Sequence, residues 1–376
     1  VELEASLDWL SLSMTPGVGS RLAGKLLRQF GSPQEIFRAS LTELEACRLP
    51  SAPARAVQSR SAHKDAEAEL AKVRKLEGCR LLNWDEPEYP QRLLEIYDPP
   101  PLLYVRGDAS ALNRHSISMV GTRRPTPYGN QVAERLARDL AGRGLTIVSG
   151  MARGIDSSAH HGACQAQKGA TVGVLGTGVD VIYPKENKKL FAEVEQRGAL
   201  ISEFPLGSHP APENFPVRNR VVAGMSLGIV VVQGAQYSGS LITARLGMEF
   251  GREVYGVPGS ITVDVSFAPN QLIKQGAKLV TSWQDVIEEL PTEIRAELFP
   301  VEPTTGAERA SLFEGTLSPL EKTVFGLLSV DESIHVDEIL EKSELNSSEV
   351  LAALCEMEMK GIVRQMPGKQ FVKVLL

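Results

Sequence analysis

Between residues 110 and 290 the chain alternates short, unbroken apolar runs with amphipathic stretches. The runs fall at 116–121, 146–149, 170–175, 199–203, 228–232, 253–257 and 277–281. Continuous Val/Ile runs without polar alternation predict strands buried on both faces, as in a parallel sheet. Helices are predicted between them, at 128–143, 185–197 and 240–251 among others. This order predicts an α/β fold: an extended Rossmann-like, doubly wound, mainly parallel sheet. Residues 1–85 carry apolar positions at helical spacing, such as Leu22, Leu26, Leu27 and Phe30, and predict a helical N-terminal domain. A stiff connector follows, with Tyr89-Pro90 and Asp98-Pro99-Pro100-Pro101. Past a linker at 291–315, three helical patterns (from Ser318, 336–342 and 347–360) and a hairpin around Pro367-Gly368 predict a winged-helix-like domain over 316–376. The central domain is bounded at 86–290.

Composition narrows the function classes. The 376 residues carry a net charge of −6, so the chain is not a globally basic nucleic-acid binder, and any anion site must be local. No apolar stretch reaches membrane-spanning length. The opening Val-Glu-Leu-Glu lacks a leader pattern. Cys47, Cys79, Cys164 and Cys355 are scattered with no C-x-x-C, which argues against zinc and a disulfide framework and fits a reducing cytoplasm. Residues 311–376 hold 11 acids and 6 bases, a balance of −5. The third helix of that domain contains Glu349, Glu356 and Glu358, where a duplex-reading element would be basic. A protein-contact or structural role is expected for it.

The candidate chemistry sits in glycine-rich turns after the apolar runs. They include Gly121-Thr122-Arg123-Arg124, Gly150-Met151-Ala152-Arg153-Gly154, Gly176-Thr177-Gly178 and Gly234, continuing to Ser238-Gly239-Ser240. Glycine after a buried strand lets a ligand approach the backbone, and the next helix start offers free N–H groups. Arg123 and Arg124 suit phosphate contact. Arg218, Asn219 and Arg220 place two cations and an amide near a helix start, and read equally as a pocket group or as structural ion pairs. Lys185 follows Tyr183-Pro184 and suits a phosphate, while Tyr183 is expected to pack against its proline. Thr15-Pro16-Gly17-Val18-Gly19-Ser20 reads as a helix-hairpin-helix turn able to meet a phosphate, or as a plain turn in a bundle. Gly19 to Leu26 fails as a Walker A loop, since Leu26 stands where Ser or Thr should bind magnesium. His160-His161 has no matching ligand cluster, Gly176-x-Gly178 lacks the third glycine of a dinucleotide site, and no nucleophile–base pair can be assigned. No metal, cofactor or catalysis is therefore expected.

Taken in order, these turns resemble the DNA-processing protein A family of bacterial recombination mediators. The resemblance runs over 88–281. It is carried by Tyr89-Pro90, Asp98 to Pro101, Val120 to Arg123, Ser149 to Asp156, Gly176 to Asp180, Ser202-Glu203, Phe215 to Arg220, Ser238 to Ala244, Val257-Pro258-Gly259 and Leu272-Ile273. It implies a Rossmann-like binder of single-stranded DNA without catalysis, a homodimer, and loading of the RecA recombinase during natural transformation. It implies DNA contact by Gly121, Thr122, Arg123, Arg124, Gly150, Lys185, Arg218, Asn219, Arg220, Ser238, Gly239 and Ser240, with Arg123 and Lys185 foremost. Leu246, Met248 and Phe250 are candidates for the dimer face. Gln233 replaces a more usual Glu, removing a possible pocket carboxylate, and Ser266 to Asn270 replaces a more usual glycine-containing turn. Two other readings compete. One is a Rossmann-like nucleotide-processing hydrolase, whose Pro-Gly-Gly-x-Gly-Thr loop Pro258-Gly259 does not continue. The other is a DNA adaptor acting through its tail, against which the acidic tail argues.

Overall fold

The computed structural model describes residues 2–299, 317–329, 333–343, 345–360 and 362–373. The chain folds as two compact units divided after Phe299.

The first unit opens with six helices: α1 (Glu2–Met14), α2 (Ser20–Phe30), α3 (Pro33–Arg38), α4 (Leu41–Ala46), α5 (Ser51–Gln58) and α6 (His63–Lys75). Their starts are written in the sequence. Ser32 accepts from the Glu35 N–H with Pro33 behind it, and Ser40 and Glu43 form a reciprocal capping box. The apolar faces close around Trp9, Leu26, Ile36, Leu44 and Val57, and that core continues onto Tyr104 and Leu200 of the sheet.

Nine strands form the sheet: β1 (Cys79–Asn83), β2 (Leu102–Gly107), β3 (Ser116–Val120), β4 (Thr146–Ser149), β5 (Ala170–Val174), β6 (Ala199–Ser202), β7 (Gly228–Val231), β8 (Glu253–Gly256) and β9 (Lys278–Leu279). Their order is β1-β2-β6-β5-β4-β3-β7-β8-β9. β3 to β9 pair in parallel, while β2 pairs antiparallel with both β1 and β6. β3 to β7 are buried along their whole length, as expected for strands covered on both faces. One face packs α7 (Pro127–Ala141) and α8 (Ile155–Gln165) around Ile117, Ile147 and Val230. α9 (Lys188–Arg197) covers Leu200 nearby. The other face packs α10 (Asn214–Gly224), α11 (Gly239–Glu249) and α12 (Phe267–Lys274) around Val148, Ile229 and Val231. The fold is the expected doubly wound one.

Four local expectations are corrected. Residues 79–83, placed in the helical domain, form an edge strand of the main sheet, because Gly78 (φ +73°) ends the helical segment and Leu82 is buried against β2. Leu102–Gly107, read only as part of a connector, is a strand buried through Val105. The helix expected from 185 begins at Lys188, after a tight 3₁₀ turn at Lys185–Asn187. Within the span read as a linker, Thr292–Leu298 is helical (α14, after α13 at Trp283–Glu288), and Phe299 stacks on Trp283. Residues 300–315 of that span lie outside the described residues.

The second unit contains α15 (Pro319–Leu327), β10 (Ile334–His335), α16 (Val336–Ser343), α17 (Ser347–Met359), β11 (Val363–Met366) and β12 (Gln370–Lys373). Its sheet order is β10-β12-β11. This is a winged helix around Val324, Ile339, Val350, Leu354 and Phe371. Capping boxes at Ser318/Glu321 and Asn346/Glu349 start two of its helices. The outer face of α17 presents Leu351, Cys355, Glu356, Glu358 and Met359 to solvent.

Candidate nucleic-acid interface

The chain winds from β3 through β4 and β5 to β6 on one side, then returns to place β7 on the other side of β3. Loops leaving β3 and β7 therefore part in opposite directions, and ligands of open α/β sheets bind in the crevice so formed. A cleft of about 870 Å³ lies there. It is lined by Val120 to Arg123, by Arg218 and Asn219 of α10, by Ala235 to Ser240, and by side chains from 261–274.

The β3 loop carries Arg123 in the open. Its guanidinium lies 5.3 Å from the centre of the Phe215 ring, with no carboxylate partner among the described residues. The loop is pinned from both ends. Thr122 N–H donates to Gln233 carbonyl oxygen at 2.7 Å, and Ile155 N–H donates to Thr122 carbonyl oxygen at 3.2 Å. Gly154 has φ +78°, and a Cβ there would collide with the Thr122 carbonyl and Pro125. Only glycine fits that position without strain.

Arg218 forms the floor. It is 5% exposed, and its Nη1 donates to the carbonyls of Gly150 and Val174, tying together the ends of β4 and β5. Burial lowers its pKa to about 10, so it remains a cation at neutral pH. Asn219 accepts from Arg218 Nε at 3.2 Å. Asp156 also reaches the cleft. It accepts from the N–H groups of Gly150 at 3.1 Å and Ala152 at 3.4 Å. Burial raises its pKa, with Arg218 pulling it back.

Across the cleft, Ser238 precedes α11, and its hydroxyl pairs with that of Ser240 at 2.7 Å. No side chain caps this helix. Its first turn thus points N–H groups and the positive end of the helix dipole toward the opening. Lys274 adds a third cation beside Arg123 and Arg218, while Asp156 and Asp264 are the lining carboxylates.

The structure gathers Gly121, Thr122, Arg123, Arg218, Asn219, Ser238, Gly239 and Ser240 on one cleft. Gly150 lies in a smaller adjoining hollow that shares Arg123 and Phe215. Three expected residues are elsewhere. Arg220 is buried, pairing with Glu203 and, at 3.5 Å, with Asp98, and its Nη2 also donates to Ser20 Oγ at 3.0 Å. Two residues along a helix face different sides, so Arg218 and Arg220 cannot both enter one pocket. Arg124 and Lys185 are exposed but outside the cleft lining. The same cluster occupies Ser20 at the start of α2, the turn read as a possible phosphate contact. Leu246 and Phe250 of the expected dimer face pack on the sheet core, leaving Met248 exposed. Tyr183 packs 5.8 Å from Phe215. His160 is buried against Thr171 Oγ1 at 2.7 Å, and His161 faces Glu193.

Gln233 does not enter the cleft. It is buried, accepting from Thr126 N–H and donating to Thr126 Oγ1, both at 2.9 Å. The amide therefore fixes the N-cap of α7 rather than replacing a pocket carboxylate. Two contributors escaped sequence reasoning. Phe215 lies beneath both Arg123 and Arg218. The segment 261–274 supplies Ile261, Asp264, Phe267 and Lys274. A signal was present for α12: Phe267, Asn270, Gln271 and Lys274 recur at helical spacing, marking one face.

With this geometry, comparison with known proteins decides the family. The model of DNA recombination-mediator protein A matches residues 80–291. The chain belongs to this family. The DprA winged helix domain matches residues 307–369. Among relatives of DNA recombination-mediator protein A, the DNA processing protein DprA of Bacillus subtilis is 44% identical over 216 residues, covering 57% of this chain and 72% of that protein. Protein Smf of Escherichia coli is 39% identical over 291 residues, covering 77% and 76%. The X-ray structure of DprA from Streptococcus pneumoniae aligns with TM-score 0.66 and 35% identity, over 75% of this chain and 96% of that one. DprA from Helicobacter pylori, whose structure addresses a single-stranded DNA binding mode, aligns with TM-score 0.51 and 32% identity, over 56% and 94%. Among the described residues, no helix is long and apolar enough to cross a membrane, and no group of three or more His, Cys, Asp or Glu could hold a metal.

Proposed function

We propose that this protein binds single-stranded DNA in the cleft between β3 and β7, without catalysing a reaction on it. The observation that carries this reading is the unpaired Arg123 facing an uncapped helix start across the cleft. Both groups suit phosphate oxygens: Arg123 has no carboxylate partner among the described residues, and no side chain caps the helix start. Arg123, Gly121, Thr122, Asn219 and the Ser238 to Ser240 turn contact the strand directly. Arg218 shapes the floor and adds positive potential. Arg124, Lys185 and Gly150 flank the opening and meet the strand only beyond the cleft.

A local cationic site in a protein of net charge −6 must give salt-sensitive binding. Fluorescence anisotropy with labelled single-stranded and duplex oligonucleotides tests this. Wild type should prefer the single strand. Arg123→Ala should weaken binding on every sequence and reduce the slope of log affinity against log salt by about 1. Equal binding by the two proteins at low salt would remove Arg123 from the interface.

Membership of the recombination-mediator family supports a finer role. We read the protein as a cytoplasmic homodimer that hands the bound strand to RecA during DNA uptake. Assembly of RecA on a single strand already coated by single-strand binding protein is the relevant assay. Acceleration by this protein supports the role, and an unchanged rate argues against it.

A further inference from the structure

Phosphate contacts explain affinity for nucleic acid, but not a preference for single strands, because a duplex offers phosphates as well. A single strand differs in presenting unstacked bases. One wall of the cleft is built for such groups. Tyr237 is 91% exposed, Ile261 94% and Phe267 41%, and all three line the cleft. Large apolar side chains gathered at one opening mark a surface that another molecule covers. Tyr237 makes no hydrogen bond or ring contact among the described residues, so its ring face is free. It directly precedes Ser238 and the uncapped start of α11. Phe267 opens α12, and Lys274 lies two turns further along the same face.

The cleft is thus divided. Arg123 and Arg218 stand on the side of β3 and α10, and the aromatic wall, flanked by the α11 start and Lys274, stands on the side of the loops after β7 and β8. A nucleotide has the same division, an anionic phosphate and a flat π-face joined through one sugar. We infer that Tyr237 and Phe267, with Ile261 beside them, stack on nucleobases while Arg123 and the α11 start hold the adjoining phosphates. This inference rests on the single-strand reading above and assigns its selectivity to the aromatic wall. Base–aromatic stacking tolerates any sequence, since every base has a π-face.

The test compares oligodeoxythymidylate with an abasic oligomer of equal length, across a salt series, for wild type, Tyr237→Ala, Tyr237→Trp and Arg123→Ala. Tyr237 is so exposed that its substitution leaves the core untouched. Wild type should bind the base-bearing strand more tightly than the abasic one. Tyr237→Ala should lose roughly 5- to 100-fold on the base-bearing strand, from a stacking contribution of that order. It should lose little on the abasic strand, with an unchanged salt slope. Tyr237→Trp should retain binding. Arg123→Ala should weaken both strands together. Wild-type binding that ignores base removal, or equal losses by Tyr237→Ala on both strands, would overturn the inference while leaving strand binding intact; the wall would then serve a protein partner. No single-strand binding by wild type would overturn this inference and the proposed function together.

Discussion

Arg218 and Arg220 lie two residues apart on one helix, and their surroundings give them different work. Arg218 is satisfied by two backbone carbonyls and keeps its charge beside the cleft. Arg220 is enclosed by two carboxylates. Burial holds Asp98 and Glu203 above the ordinary carboxylate range, and the Arg220 charge pulls both back. Arg220→Ala would leave two mostly enclosed carboxylates without their cation, a loss on the order of 3 kcal/mol. The sign of its pH dependence follows. A carboxyl whose folded pKa is raised favours the folded state as it takes up a proton, so the variant's deficit should shrink as pH falls from 7 toward 5. Denaturant unfolding of both proteins at the two pH values checks this. A pH-independent deficit would separate the loss from the two carboxylates, and normal stability with lost DNA affinity would show that Arg220 serves the strand instead. The residue types at 218–220 were legible as a functional-looking set. Their assignment was not, because apart from the neighbouring Asn219 the acceptors that separate the two guanidinium groups, Gly150 and Val174 for Arg218 and Glu203 and Asp98 for Arg220, are distant in sequence and only the packed sheet brings them near.

At the scale of elements, the cleft depends on loops held in one conformation. The chain Gln233, Thr122, Ile155, Gly154 links the end of β7 to the β3 loop and the start of α8. Gly154→Ala would place a side chain at φ +78° against the Thr122 carbonyl. The expected cost is more than about 1 kcal/mol, together with weaker single-strand binding because the Arg123 loop must move. Thermal unfolding and anisotropy on the same sample would show both effects, and a wild-type result in both would free the cleft from this support. The central strands and the helices after them were readable because both-face burial writes long apolar runs. β1 was not, being an edge strand with partly exposed residues and no such run. α12 was missed for a different reason: it is short and follows a loop, and its cleft-facing side chains mix Phe, Asn, Gln and Lys.

For the whole molecule, topology does what composition cannot. A net charge of −6 says nothing of where an anion would bind. The strand order selects the gap between β3 and β7, and the turns rich in glycine fall at that edge. The winged helix has its own core, and α17 turns glutamates and apolar side chains outward rather than a basic face. The strand binding proposed here accordingly falls to the first unit, and the second suits contact with protein better than with duplex.

The structure of the full chain with a short oligodeoxythymidylate tests this account most directly. It should show the strand in the cleft, with phosphates at Arg123 and the start of α11 and a base against Tyr237. A strand lying on the winged helix, or across the sheet away from Arg123, would contradict it.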